Sequence, residues 1–94
     1  MELSFLLITG FQWDAANVGH IQRHGVRPDE VEELLGSGGA AVYRAKGGRY
    51  VAYGRTLVGR HLFVVFEGRA GGRVRVITAR DQTDRERRTM RRKR

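Results

Sequence analysis

Two residue types in this chain could carry proton transfer and anion binding: histidine and arginine. His20 and His24 stand four residues apart, with Asn17 three before His20. On a helix these three share one polar face. The i, i+4 histidine pair is a spacing used by helical zinc ligands. No Glu follows His20 and no third ligand is evident, so neither a metal site nor a cofactor is expected. Two readings are left: a partly buried, hydrogen-bonded pair, or an imidazole that moves a proton or contacts phosphate. Arginine is the second resource, at sixteen of the eighteen cations. Its planar fork pairs bidentately with phosphate or carboxylate.

Charge is divided along the chain. Residues 1–43 hold two cations against six acids, net −4, and residues 44–94 hold sixteen against four, net +12. A basic half of this kind points to nucleic acid or an acidic protein partner, with a merely solubilising surface as the plainer alternative. There is no cysteine among the 94 residues, which removes disulfides and thiolate metal sites and fits a reducing cytoplasm. The apolar run Ser4–Thr9 is too short to span a membrane and lacks a basic lead, having Glu2 instead, so a short strand is expected there. The length suits one domain over residues 1–94.

The elements that must position these residues follow from local signals. Asp14 is a good N-cap and Gly25 a natural stop, predicting a helix over Ala15–His24 that buries Val18 and Ile21, with Trp13 packed at its entry. Pro28, followed by Asp29 and Glu30, starts a second helix whose apolar face is Val31, Leu34 and Leu35, ended by the Gly-Ser-Gly-Gly run 36–39. Its four acids exclude a helix-turn-helix reading, since a DNA-recognition helix needs cations. From Ala40 the pattern turns to strands: Ala40–Ala45, Arg49–Leu57, His61–Glu67 and Gly72–Thr78. Short glycine-rich connections make these a four-stranded antiparallel meander with His61–Phe66 at its centre. A two-residue Val58-Gly59 turn would set Tyr53 opposite Val64. A four-residue turn at 69–72 would set Val64 beside Ile77 and Phe66 beside Arg75. One face would then carry Arg49, Val51, Tyr53, Arg55, Arg73, Arg75 and Ile77. The other, with Ala52, Gly54, Phe63, Val65, Val74 and Val76, would receive the helices. A basic helix from Thr83 closes the chain, with Glu86–Arg88 packed back on the domain and residues 91–94 frayed. The fold class is α+β.

The runs W-D-x-x-N-x-x-H-I-x-R-H-G-V-x-P-x-E-V-E-E (Trp13–Glu33), R-Y-V-A-Y-G-R-T (Arg49–Thr56), G-R-x-L-F-V-V-F (Gly59–Phe66) and R-V-I-T-A-R-D-x-T-x-x-E-R-R (Arg75–Arg88), in that order, resemble the BrnT family. The resemblance covers about residues 11–90. It implies a RelE-like fold and a toxin of a type II toxin–antitoxin pair whose ribonuclease activity stops translation. It also implies a BrnA-type partner, a small ribbon-helix-helix DNA-binding antitoxin, and hence a hetero-oligomer, or a homodimer of the toxin. The family's C-terminal motif usually reads E-R-R-x-Y, and here Met90 stands at the Tyr position.

A ribonuclease working without metal needs a base for the 2′-hydroxyl, cations for the charge growing on phosphate, and an acid for the leaving 5′-oxygen. His24, or secondarily His20, is the expected proton carrier, with Arg55 and Arg80 on the scissile phosphate. Arg49, Arg73, Arg75 and Arg88 would follow the RNA backbone, and Tyr53 would stack on a base. Glu86 could accept a proton or pair with a nearby Arg. The rival expectation is a non-catalytic module derived from such a toxin, holding RNA or an antitoxin on its Arg surface, with Met90 the trace of lost chemistry.

Overall fold

A computed structural model describes residues 2–3, 7–36 and 39–93. Its elements are β1 (Glu2–Leu3), β2 (Gly10–Gln12), α1 (Ala15–Gln22), α2 (Pro28–Gly36), β3 (Ala41–Arg44), β4 (Arg49–Arg55), β5 (His61–Gly68), β6 (Arg73–Asp81) and α3 (Asp84–Arg92). The strands form one mixed sheet in the order β1-β3-β4-β5-β6-β2. β3 to β6 pair antiparallel in chain order. The sheet is wider than the four strands expected, because β1 adds antiparallel to β3 and β2 adds parallel to β6. Part of the single strand expected over Ser4–Thr9, Ser4–Leu6, lies outside the described residues. Leu7–Thr9 form no strand. Thr9 instead ties down the β5–β6 loop, its N–H donating to Gly72 O at 3.0 Å and its hydroxyl to Gly71 O at 2.6 Å.

The expected register is off by one residue at the β4–β5 hairpin. Tyr53 faces Phe63, not Val64, and Arg55 faces His61. The reason is the loop: Thr56 N–H donates to Arg60 O at 2.9 Å, enclosing Leu57-Val58-Gly59, with Gly59 at φ +92°. A turn completed by a left-handed glycine is one residue longer than a two-residue hairpin, and one residue of slip exchanges the faces of the following strand. The β5–β6 loop closes the same way, Arg69 N–H donating to Arg73 O at 2.7 Å. A bulge between Val65 and Phe66 then shifts β6 again, leaving Val64 beside Ala79 and Phe66 beside Val76. β6 also runs on to Asp81, past the expected end at Thr78.

The corrected register decides what is buried. Leu62, Val64 and Phe66, in place of Phe63 and Val65, join Ala52, Val74, Val76 and Ala79 under Ile21, Val26, Val31 and Leu34 of the helical layer. Gly54 permits the approach of α2: a Cβ there would stand 3.0 Å from Leu34 Cγ. Arg60 locks the layers together, donating to Glu30 at 3.0 Å, to Asp81 at 2.8 Å and to Gly25 O at 2.8 Å. α3 lies on the opposite face of the sheet, over Tyr43, Val51 and Tyr53. It continues past Met90, through Arg91 and Arg92, to a C-cap at Lys93. Arg94 lies outside the described residues.

Candidate functional site

The face opposite α1 and α2 carries most of the arginines singled out above, and the structure sorts them by partner. Arg75 is paired with Asp14 at 2.8 Å, and Arg49 stands 3.8 Å from Glu67, which also pairs with Arg69. The Asp14 carboxyl is held below the usual range, chiefly by hydrogen bonds from Arg75. Arg73 is exposed at the start of β6, its stem beside Gly10. Arg80 lies 4.3 Å over the Phe63 ring and donates both terminal nitrogens to Glu86 at 2.8 and 3.1 Å. That pairing lowers the Glu86 carboxyl and raises the Arg80 guanidinium from their ordinary values. The Tyr53 hydroxyl is pushed up by burial and by the nearby Glu86 charge.

A second set of arginines makes no ion pair among the described residues. Where β4 ends, β5 begins and α3 passes above, a cleft of about 460 Å³ is lined by Arg55, His61, Gln82, Arg87, Arg91 and Lys93, with Tyr53 and Met90 among its walls. Arg55 and His61 are cross-strand partners. Arg87 and Arg91 are four apart on α3 and so share a face. Arg55, Arg87 and Arg91 are exposed and make no ion pair among the described residues. Gln82 fixes the floor, donating through Nε2 to Gly54 O at 3.2 Å and Leu62 O at 3.0 Å. Its chemistry is that of an anion receptor with one imidazole.

The expected site therefore assembles only in part. Tyr53, Arg55, Arg80 and Glu86 converge at the root of α3, whereas His20 and His24 line neither this cleft nor a second recess under α3 walled by Tyr43, Val51 and Tyr53. Asn17, the third member of the expected polar face, is buried and structural. Its side chain donates to Gln12 O at 2.9 Å and Val76 O at 3.2 Å and exchanges capping bonds with Asp14. α1 stops at Gln22, so His24 lies beyond its end, exposed, with its ring 5.4 Å from that of His20. His20 is held by the Thr78 hydroxyl at 3.0 Å. Arg88 is exposed on α3. His61, Arg87 and Arg91 were missed by the sequence reading. The Arg87, Arg91 spacing was there to be seen, but His61 joins Arg55 only in the corrected register. No three His, Cys, Asp or Glu side chains among the described residues are grouped to hold a metal ion.

A small α+β domain with an arginine-lined, carboxylate-poor cleft at the end of its sheet has the electrostatics of a protein that handles a polyanion. Residues 13–86 match the family model of BrnT, the ribonuclease toxin of type II toxin–antitoxin systems, and the chain belongs to that family. Comparison with curated proteins and with solved structures finds no match. Family membership brings an RNA target and an antitoxin partner. No helix among the described residues is long and apolar enough to cross a membrane.

Proposed function

We propose that this chain cuts single-stranded RNA without a metal ion, and thereby stops translation in the cytoplasm, using the cleft of Arg55, His61, Arg87 and Arg91. The observation that carries this reading is that arginines with no ion pair among the described residues meet a histidine there. His61, in the role first expected of His24, takes the proton of the 2′-hydroxyl. The 2′-oxygen bonds to the adjacent phosphorus, the bond from phosphorus to the 5′-oxygen breaks, and the 5′-oxygen leaves with a proton from water. The products are a 2′,3′-cyclic phosphate and a 5′-hydroxyl end. The guanidinium groups of Arg55, Arg87 and Arg91 take up the charge that builds on the non-bridging oxygens. Arg80, whose fork is filled by Glu86, holds α3 in place, and Arg73 and Arg88 extend the basic track. The fold is RelE-like, and the antitoxin is of the BrnA ribbon-helix-helix type, forming a hetero-oligomer in which an acidic segment covers the cleft.

The test is purified protein incubated with RNA in excess chelator. Cleavage leaving cyclic phosphate ends is expected, reduced about 100-fold or more in His61→Ala and strongly in Arg55→Ala, with His24→Ala close to wild type. Salt-sensitive RNA binding without any cleavage by the wild type would replace the enzyme with a binding module.

A further inference from the structure

Across Met90 from the cleft, α3 roofs a second recess of about 340 Å³. Its floor is aromatic: Tyr43 and Tyr53 meet edge to face at 6.2 Å, and Tyr53 lies 5.1 Å from Phe63. Its rim is cationic, with Arg85 at one side and Lys93 Nζ 4.9 Å over the Tyr43 ring. Among the described residues the one carboxylate in its lining, Glu86, is paired with Arg80. The Tyr43 hydroxyl is buried and has no hydrogen-bond partner among the described residues. A phenylalanine would fill the same space without that cost, so the packing of the described residues gives no reason for the hydroxyl.

A ligand suited to these features has a flat unsaturated ring for the floor, a polar edge for the hydroxyl and a negative charge for Arg85 and Lys93. We infer that the recess takes a nucleobase of the RNA, and that Tyr43 reads its edge. Tyr53, Met90 and Lys93 line both the recess and the cleft, so a base in one and a phosphate in the other can belong to neighbouring nucleotides. Aromatic platforms recognise single-stranded bases in this way, stacking for affinity and hydrogen bonding for choice. The inference rests on the RNA reading of the cleft and adds the origin of its base preference.

The four nucleoside 5′-monophosphates, titrated into the labelled full chain and followed by NMR, test it without requiring catalysis. Methyl shifts at Val51, Thr89 and Met90 are expected, with at least a fivefold preference for one base. In Tyr43→Phe the preference should fall to within twofold while the backbone spectrum stays folded. Equal affinity for all four, or shifts confined to Arg55 and Arg87, would overturn the base pocket. Mapping RNA cleavage sites with both proteins gives the second arm: the variant should lose base choice at one position flanking the cut, and an unchanged map would overturn the proposal. Selective monophosphate binding by a wild type that cuts no RNA would support the pocket and reject the ribonuclease. Cleavage with unselective binding would reject the pocket alone.

Discussion

Arg80 and Glu86 form a two-pronged ion pair, 2.8 and 3.1 Å, across the junction of β6 and α3. The same carboxylate accepts from Thr83 N–H at 2.8 Å while the Thr83 hydroxyl accepts from Glu86 N–H at 3.1 Å, completing a capping box. One side chain thus starts the helix and ties it to the sheet. α3 depends on such ties because none of its residues is buried.

Glu86→Ala is accordingly expected to lower stability by about 1–2 kcal/mol. Roughly 1 kcal/mol comes from the cap and the remainder from an ion pair discounted for its partial exposure. Urea unfolding measures this, and a loss under about 0.5 kcal/mol would show that other contacts hold the helix. Thr83→Ala should cost about 1 kcal/mol through the cap alone.

The acid limb of stability has a fixed direction. The carboxyls of Glu86, Asp81 and Asp14 are depressed, mainly by hydrogen bonds from Arg80, Arg60 and Arg75 respectively. The unfolded chain then binds protons more readily than the folded one. The stabilisation is complete above the unfolded carboxylate values, about 4, and is lost as pH falls through the lower folded values. The thermal midpoint should be steady from neutral pH to about 5 as far as these groups are concerned, then fall below about 4. Asp81→Asn should flatten that fall, and an acid limb identical to wild type would discount the Arg60–Asp81 pair.

Two glycines predict opposite signs. A Cβ at Gly54 would lie 3.0 Å from Leu34 Cγ and 3.2 Å from Ala40 Cα, inside the contact between α2 and the sheet. Gly54→Ala should therefore destabilise by about 1–3 kcal/mol. A Cβ at Gly19, inside α1, would meet nothing within 4 Å. Gly19→Ala should stabilise by about 0.5–1 kcal/mol through helix propensity. Calorimetry on the two variants would show both, and a stabilised Gly54→Ala would mean that the layers pack less closely than described.

What was legible in the residues was local. Asp14 and Pro28 announced helix starts because such signals are chemistry between neighbours, and Ala52 and Gly54 marked the helix-facing side by their size. Register was illegible because one extra residue in a loop, accommodated by Gly59 in the left-handed region, moves the side chains of the next strand to the other face. That slip hid His61 from Arg55. The parallel pairing of β2 with β6 escaped notice since the two strands lie far apart along the chain. Asn17 and His20 lie on α1 as their spacing required, but His24 falls beyond its end. Which of them met solvent, sheet or backbone was decided by how α1 sits on β6.

The division of arginines into paired and unpaired gives the most direct test of where RNA lies. A guanidinium already bound to a carboxylate must exchange that partner for phosphate, and little net charge is gained; an unpaired one releases a counterion from the RNA when it binds. Among the described residues Arg55, Arg87 and Arg91 belong to the second kind, Arg49 and Arg75 to the first. Binding of a non-cleavable 2′-deoxy oligonucleotide should weaken with salt, and each unpaired arginine changed to alanine should reduce the log–log slope by about 0.7. Arg49→Ala and Arg75→Ala should change the slope much less, because each frees an acidic partner while removing a base. If the two classes alter the slope equally, the phosphates run along the sheet face rather than through the cleft. The ladder of Arg49, Glu67 and Arg75 would then be the RNA track first expected of it.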